Sequence, residues 1–511
     1  MPAVAKAQTT SIGRQTASQG ESDIARKIIS GASWLFALKL STRGIGFVST
    51  LILARFLTPA DFGVLGIAML SISLLQTLSQ TGFEGALIHK KGDISEFLDS
   101  AWVISVVRGL VLTSILFFSA PFVASFFGSP QAGAILKVLA FVPFLEGLNN
   151  VGLVFFKKEM DFKKLFIFEL CGQVVHVLVA VPLALVYPNV WALVVAMIAS
   201  RAAMLFISYK MHPYRPSIRI NWKMANELFA FGKWLLGSQI VLYFINQGDN
   251  LFVGKILGTV ALGFYAMAYK ISFLAVTEVT FVISKVMFPA YSQLQDNRNG
   301  LQKAYLGMLT VLAFVSMPLS GMIFLLAEDF VSIVLGAKWL PIYPIIQVFA
   351  FSAMLRSVSS TTGALFQGIG RPDITAKLVS IRLAIIALLI YPLTVLWGMV
   401  GTALAILVSS AVVDPVALTL GSRLIALDMK AFLSALLLPL GNTLVCLVLS
   451  MAVKALFVHL QGIWIAAVML VVFGCAYVCI SYILQHFWEY QAPSFMRKVA
   501  SHIIAAKARP A

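Results

Sequence analysis

Long apolar segments constrain this chain more than any other feature. A run of about 20 apolar residues crosses the hydrocarbon core of a bilayer as a helix, and such runs recur along all 511 residues. The sequence is 60% hydrophobic and 12% charged, whereas soluble domains carry about 25% charged residues. Strands of a membrane barrel need only about 10 alternating residues. The sequence therefore predicts an all-α polytopic membrane protein.

The chain also repeats itself. Residues 34–66 align without a gap with residues 234–266, and six of the 33 positions are identical. Both copies read as a long apolar helix that ends in a basic residue, followed by a short turn and a second apolar helix. Residues 138–162 align in the same way with residues 348–372. Self-similarity on this scale predicts two homologous halves.

Hydropathy divides the chain into about fourteen transmembrane helices, which form two six-helix lobes and two further C-terminal helices. The fourth span is predicted over 133–156, and the eleventh and twelfth over 374–397 and 399–422. The predicted organisation is a polar cytoplasmic N-terminal tail (1–27), an N-terminal lobe (28–210), a cytoplasmic connector (211–225), a C-terminal lobe (226–425), two additional transmembrane helices (426–486) and a basic cytoplasmic tail (487–511).

Basic residues in the loops predict the orientation. The tails, the connector and the even-numbered loops hold 24 Lys and Arg, whereas the odd-numbered loops hold only Arg55, Lys255 and Lys338. Positive residues stay on the cytoplasmic side, so both termini are predicted to be cytoplasmic. A basic rim beside anionic lipid accounts for most of the net charge of +17. Nucleic acid is therefore not a predicted partner.

Basic residues outnumber acidic residues within the predicted spans. Charges inside a membrane usually face a cavity or a partner, although residues near a span end, such as Arg201, can extend to the interface. The excess of cations favours an anionic substrate that carries phosphate, pyrophosphate or uronic acid groups. The eleven bases and six acids are Lys39, Arg43, Arg108, Lys137, Arg201, Lys233, Lys270, Lys285, Arg356, Arg382, Lys454, Glu84, Glu146, Glu169, Asp249, Glu278 and Asp414.

Two groups of these charges share helix faces. Lys39 and Arg43 are four residues apart in the first span and lie on one face. Lys270, Glu278 and Lys285 form one charged stripe on the eighth span at about 100° per residue. The four cations are predicted to bind substrate, and Glu278 is a candidate for ion coupling.

Two further positions allow alternative interpretations. Arg356 occupies the place of Glu146 in the repeat, so these residues either line a substrate cavity or pair with each other internally. The polar run 246–250, which contains Asp249, indicates either a broken helix that binds a coupling ion or an interfacial helix end. Arg356 is predicted to bind substrate, and Asp249 is the second candidate for ion coupling.

Sequence motifs of enzymes are missing from the chain. It contains no Walker A loop, no HExxH and no GxSxG flanked by a strand. Its four cysteines lie in apolar segments without a CxxC pair, which favours buried apolar roles over metal ligation. The sequence predicts a transporter, without catalytic residues, metal or cofactor.

One segment resembles a known family. The run LILARFLTPADFGVLGIAM at residues 51–69, followed by QTGFEGALIHKKG at 80–92, resembles the opening of WzxC-type lipopolysaccharide and exopolysaccharide flippases. These proteins form a branch of the multidrug/oligosaccharidyl-lipid/polysaccharide exporter superfamily. The resemblance extends over roughly residues 28–490. Residues 42–46 (TRGIG) are also similar to a run of peptidoglycan lipid flippases, which adds weight to Arg43.

The resemblance implies a function. Two six-helix lobes enclose a central cavity in this superfamily, and alternating access moves an undecaprenyl-pyrophosphate-linked oligosaccharide to the periplasmic leaflet of the bacterial inner membrane. Membrane lipids, and possible contacts with a polysaccharide polymerase and export machinery, are the implied partners. A cation-coupled multidrug exporter and a non-transporting scaffold of a polysaccharide assembly complex are the alternatives.

Overall fold

The computed structural model describes residues 41–79, 87, 94–159, 161–219, 222–457 and 462–487, with the helical backbone alone at 95, 222–238, 274–286 and 485–487. Every regular element in these ranges is helical, as the apolar segments predicted. The helices are α1 (41–56), α2 (Pro59–Leu78), α3 (Ser95–Phe127), α4 (Pro130–Leu139), α5 (Val142–Gly147), α6 (Val154–Lys158), α7 (Phe162–Val186), α8 (Val190–Met211), α9 (Trp222–Ile256), α10 (Thr259–Gln293), α11 (Arg298–Phe330), α12 (Tyr343–Gly368), α13 (Pro372–Leu424), α14 (Met429–Leu456) and α15 (Ile463–Phe487).

Within the described ranges, nine helices are long and apolar enough to cross a membrane, or ten if one bent pair is counted as a span. The longest, α13, has 53 residues and would be about 80 Å long if straight. It breaks at Gly398, whose φ of 58° and ψ of −135° interrupt the helix in a region that glycine tolerates. The predicted turn between the eleventh and twelfth spans is therefore confirmed.

The chain divides into two compact units. Unit 1 comprises Met1–Leu57 and Val64–Gly248, and unit 2 comprises Thr58–Gly63 and Asp249–Ala511. The division falls inside α9, which runs as one helix through the polar segment 246–250. The interpretation of that segment as a broken helix is wrong. The side chains of residues 246–250 form hydrogen bonds to their own helix and to a neighbouring helix, while the helix itself stays continuous.

The fourth predicted span, 133–156, is not one helix. The chain bends by 66° between Pro130–Gly147 and Val151–Lys158. At the bend, the Asn150 side chain accepts a hydrogen bond from the Gly152 amide and donates to the carbonyls of His212 and Tyr214. Such side-chain bonds to the backbone compete with the helix. Asn150 thereby fastens the start of the connector to the rest of unit 1.

The two copies of the repeat meet within unit 2 at a pair of glycines. A Cβ on Gly63 would lie 1.8 Å from the carbonyl oxygen of Thr259, and one on Gly263 would lie 1.9 Å from that of Pro59. Pro59 and Thr259 are equivalent in the repeat, as are the two glycines. Small residues let helix backbones approach this closely in membranes. The first turns of α2 and α10 therefore cross backbone against backbone.

Hydroxyl pairs join the helices of unit 2. The Tyr291 and Thr361 hydroxyls are 2.7 Å apart, and those of Tyr305 and Thr362 are 3.0 Å apart. Because the bilayer core offers no water, polar side chains at helix contacts hydrogen-bond each other. These pairs connect α10 and α11 to α12, the helix that carries Arg356.

The last two helices have no counterpart in the repeat and pack against α11. Lys454 of α14 lies 2.6 Å from Asp329 of α11. The Asn442 amide of α14 donates hydrogen bonds to the Tyr477 carbonyl and the Ser481 hydroxyl of α15. Both helices are therefore integral parts of unit 2.

Candidate functional site

Charged side chains of unit 1 meet among α2, α3, α5, α7 and α8. One oxygen of Glu146 is 3.3 Å from Nε of Arg201, and the other accepts a hydrogen bond of 2.9 Å from Nε2 of Gln76. Arg108 and Glu169 lie close enough to Glu146 to interact electrostatically. We refer to Gln76, Arg108, Glu146, Glu169 and Arg201 as the unit 1 cluster.

Two glycines bring this cluster together. A Cβ on Gly109 would lie 2.6 Å from a carbonyl oxygen of α5, and one on Gly147 would lie 2.5 Å from a carbonyl oxygen of α3. Each glycine directly follows a charged member of the cluster, Arg108 or Glu146. The close backbone contact therefore sets the distance between these two side chains.

The ion pair of the unit 1 cluster is accessible. The side chains of Arg201 and Glu146 are 35% and 33% exposed. Charges within membrane spans face the bundle interior or a water-filled cavity rather than lipid, so this exposed portion is available to a polar ligand. The expectation that Arg201 extends to the interface is wrong, because the side chain pairs with Glu146.

A second ion pair lies deep in unit 2. One oxygen of Asp414 accepts hydrogen bonds of 2.6 Å from Nη2 of Arg382 and from the Ser359 hydroxyl. The side chains of Arg382 and Asp414 are only 15% and 3% exposed. A buried carboxylate is costly without a counter-charge, and Arg382 supplies it.

Arg356 of α12 lies over an aromatic row on α10. Its guanidinium carbon is 5.5 Å from the ring centroid of Phe273, within the range of a cation–π contact. Tyr265, Tyr269 and Phe273 follow at four-residue intervals on one face of α10, and each ring lies between 5.3 and 5.6 Å from Phe349. Arg356 also interacts electrostatically with Asp249 and with Arg382. We refer to Asp249, Arg356, Arg382 and Asp414 as the unit 2 cluster.

The five predicted substrate-binding cations have different positions. Lys39 lies outside the described residues, as does the side chain of Lys285. Arg43 is exposed on α1, Lys270 is exposed on α10, and Arg356 is half-buried on α12. Arg356 is placed over the aromatic row of α10.

One of the two predicted ion-coupling residues is described. Asp249 is 6% exposed, and its carboxylate accepts a hydrogen bond of 3.0 Å from the Tyr265 hydroxyl. The helix ends at Ile256, and the alternative of an interfacial helix end stays a prediction. The side chain of Glu278 lies outside the described residues. No group of three or more His, Cys, Asp or Glu suited to a metal occurs in the described part of the chain.

Sequence reasoning missed the Arg382–Asp414 pair, although the sequence contained a usable signal. Arg382 and Asp414 each stand 16 residues from Gly398. In an antiparallel pair of helices that turns at Gly398, residues equally distant from the turn lie at the same depth. The contact could therefore have been inferred from the predicted turn alone.

Comparisons with known sequences identify relatives of this chain. The family described as "Polysaccharide biosynthesis protein" matches residues 52–344, more than half of the chain. The lipopolysaccharide biosynthesis protein WzxC of Escherichia coli K12 is 27% identical over 356 residues, which cover 69% of this chain and 72% of WzxC. The succinoglycan biosynthesis transport protein ExoT of Rhizobium meliloti is 23% identical over 347 residues, which cover 68% and 70% of the two chains.

A solved structure shares the fold. The lipid II flippase MurJ in its inward closed conformation matches with a TM-score of 0.73 at 14% identity, over 88% of this chain and 99% of MurJ. Together with the apolar helices, these comparisons establish a multi-pass protein of the bacterial inner membrane. ExoT is described as a transport protein and MurJ as a lipid II flippase, and neither is described as an enzyme.

Proposed function

Because this chain belongs to the polysaccharide biosynthesis protein family, as its resemblance to WzxC-type flippases predicted, we propose that it is a lipid-linked oligosaccharide flippase. Its substrate is an undecaprenyl-pyrophosphate-linked repeat unit, which it moves from the cytoplasmic to the periplasmic leaflet for exopolysaccharide or lipopolysaccharide biosynthesis. ExoT, described as a transport protein, and MurJ, a lipid II flippase, support this substrate class.

Arg356 is the observation that carries the proposal. Its guanidinium is half-buried among membrane-spanning helices over the ring of Phe273. Asp414, the acid of the neighbouring helix, is already bonded to Arg382. A guanidinium recognises phosphate groups through paired N–H donors, and a stacked position leaves the charge of Arg356 intact. An anionic pyrophosphate is the ligand that fits such a cation.

The remaining predicted cations act along the route of the substrate. Lys39 and Arg43 take up the pyrophosphate from the inner leaflet, and Lys270, Lys285 and Arg356 bind it further along. The protein works by alternating access, in about fourteen spans with both termini cytoplasmic. A polysaccharide polymerase and export machinery receive the product on the periplasmic side.

Membrane potential favours this direction of transport. An anion with two charges that moves outward across 100 mV, inside negative, gains about 4.6 kcal/mol. Coupling to an ion at Asp249 and Glu278 is therefore an addition to the mechanism rather than a requirement. A cation-coupled multidrug exporter, the alternative, fits less well because the excess of basic residues within the spans repels cationic drugs.

The test is to deplete the protein and to measure lipid-linked sugars in each leaflet of the inner membrane. We expect undecaprenyl-linked oligosaccharide to accumulate on the cytoplasmic side. Arg43→Gln and Arg356→Gln should reproduce the accumulation at normal protein levels, whereas Arg371→Gln, which changes an exposed arginine outside the spans, should not.

Two outcomes contradict the proposed function, and a third contradicts the role of Arg356. An unchanged lipid pool combined with altered tolerance to toxic cations would identify a drug exporter. An unchanged pool with lost polymer output and no flux in reconstituted vesicles would identify a scaffold. Normal polymer output with Arg356→Gln would remove Arg356 from the substrate site.

A further inference from the structure

The unit 1 cluster offers hydrogen-bond donors and acceptors side by side. Each oxygen of Glu146 is engaged by one donor, from Arg201 or from Gln76, and a carboxylate oxygen can accept two. Arg201 uses Nε in the ion pair, and one Nη contacts the Met204 sulfur at 3.7 Å, a weak acceptor. Both side chains therefore retain capacity to bond a ligand over the third of their surface that is exposed.

The charges of this cluster balance. Glu146 and Glu169 carry two negative charges, and Arg108 and Arg201 carry two positive charges. A balanced cluster in which the acids and bases already interact has little preference for an anion. It suits an uncharged ligand that both donates and accepts hydrogen bonds, and hydroxyl groups are the common chemical group with this property.

Two aromatic side chains contact the backbone next to Glu146. The Trp102 indole and the Tyr209 hydroxyl both donate a hydrogen bond to the carbonyl oxygen of Leu148, two residues after Glu146. Both aromatic side chains are only partly buried. The guanidinium of Arg215 lies 5.7 Å from the centroid of the Tyr209 ring, whereas the Trp102 ring offers apolar surface to the C–H faces of a sugar ring.

We propose that the unit 1 cluster is a glycan subsite, in which Glu146, Arg201 and Gln76 bind hydroxyl groups of uncharged sugars. The inference rests on the proposed flippase function and assigns a part of the substrate that the cationic residues cannot recognise. The pyrophosphate is bound by cations such as Arg356, and the sugars are bound by the unit 1 cluster. This division gives unit 1 control over which repeat unit is accepted.

Two lipids distinguish the subsite from the anion site. The purified protein in nanodiscs is titrated with undecaprenyl pyrophosphate alone and with lipid-linked repeat unit extracted from the organism that makes this protein. Wild type should bind the glycosylated lipid more tightly than the bare lipid. Glu146→Gln should weaken binding of the glycosylated lipid about tenfold, because it removes hydrogen bonds to a charged group, and should leave the bare lipid unchanged.

Matched variants separate binding from folding. Gln76→Leu should show the same selective loss, whereas Arg356→Gln should weaken both lipids equally. Glu159→Gln, which changes an exposed acid outside the cluster, should alter neither. If Glu146→Gln weakens both lipids equally or neither lipid, the subsite is overturned, provided that the thermal unfolding temperature of the variant matches that of wild type. Where the glutamine variant unfolds early, Glu146→Asp replaces it, with the same two outcomes.

The subsite can fail independently of the proposed function. If wild type binds neither lipid, the flippase proposal fails, and the oligosaccharide released from its lipid by mild acid becomes the probe. Binding of this free glycan that is lost with Glu146→Gln would support the subsite alone. Absence of binding to wild type would overturn it.

Discussion

Three charged residues of each cluster lie on corresponding helices of the repeat, and acids in one unit stand where bases stand in the other. In unit 1, α5 and α7 contribute acids and α8 contributes a base. In unit 2, α12 and the part of α13 before Gly398 contribute bases, and the part of α13 after Gly398 contributes an acid. The residues are Glu146, Glu169 and Arg201 in unit 1, and Arg356, Arg382 and Asp414 in unit 2. The repeat keeps polar groups on the same helices while their sign is exchanged.

Burial differs as much as sign does. The Arg201–Glu146 pair is about one-third exposed, whereas the Arg382–Asp414 pair is almost completely enclosed. The enclosed pair has a structural role, because the charges of Arg382 and Asp414 neutralise each other in a buried position. The open pair can bind a ligand over its exposed surface. Similar chemistry on equivalent helices therefore performs different tasks in the two units.

The largest expected effect is the loss of one partner of the enclosed pair. Arg382→Gln leaves the Asp414 carboxylate buried without a counter-charge, which costs about 3–5 kcal/mol of unfolding free energy. Asp414→Asn has the converse effect on Arg382. The double variant should be more stable than either single variant, because no buried charge remains. Thermal unfolding of the purified proteins in detergent measures this, and a double variant that loses the sum of both would contradict an enclosed pair.

The close contact of α2 and α10 at Gly63 and Gly263 tests whether the two copies of the repeat are equivalent at this point. Gly63→Ala and Gly263→Ala each place a methyl group against a backbone carbonyl, and overpacking of this kind costs about 1–3 kcal/mol or more. Because the contact is reciprocal, the two losses should be equal. Gly44→Ala and Gly363→Ala are matched controls, since nothing lies within 4 Å of a Cβ at either position. Unequal losses would show that the crossing is asymmetric.

Much of the fold followed from the sequence. A bilayer requires every backbone group to bond within its own segment, so apolar length alone predicted helices, and Gly398 marked the turn within α13. The bend at Asn150 was missed. Hydropathy cannot show that an asparagine side chain bonds the backbone of a segment some 60 residues away, as Asn150 does with His212.

The candidate site was less predictable than the fold. Helical periodicity places residues on one face of their own helix, as with Tyr265, Tyr269 and Phe273, but it does not identify the neighbouring helix. The Arg201–Glu146 pair depends on how α5 and α8 pack, and no spacing in the sequence encodes this. The Arg382–Asp414 pair could have been predicted from the sequence only because Gly398 lies midway between the two residues.

The open pair of unit 1 should be much less important for stability than the enclosed pair. Ion pairs that water reaches are worth about 0–1 kcal/mol, so Glu146→Gln and Arg201→Gln should each lower the unfolding free energy only slightly. Thermal unfolding in detergent, as for Arg382→Gln, measures these losses. A loss from Glu146→Gln as large as that from Arg382→Gln would show that both pairs are structural, and the contrast between the units would disappear.

The smallest expected effect concerns the connector, which only unit 1 carries. Nδ1 of His212 accepts a hydrogen bond of 3.2 Å from the Tyr214 amide, and the His212 ring stacks on Phe155. Burial lowers the pKa of His212 below its usual value of 6.5; Lys164 and Arg215 act in the same direction, and Glu159 opposes them. The unfolded chain therefore binds this proton first, so stability is complete above about pH 6.5 and decreases on acidification.

His212→Asn is the matched variant, because its side-chain oxygen can replace Nδ1 as the acceptor and does not titrate. Between pH 7.5 and pH 5.5, the unfolding temperature of wild type should decrease by more than that of His212→Asn. The other acids and bases of the protein titrate equally in both, so the difference isolates one proton on the connector. Parallel curves would show that the pKa of His212 is the same in the folded and the unfolded chain. The pH dependence would then arise elsewhere, and the connector would no longer distinguish unit 1 from unit 2.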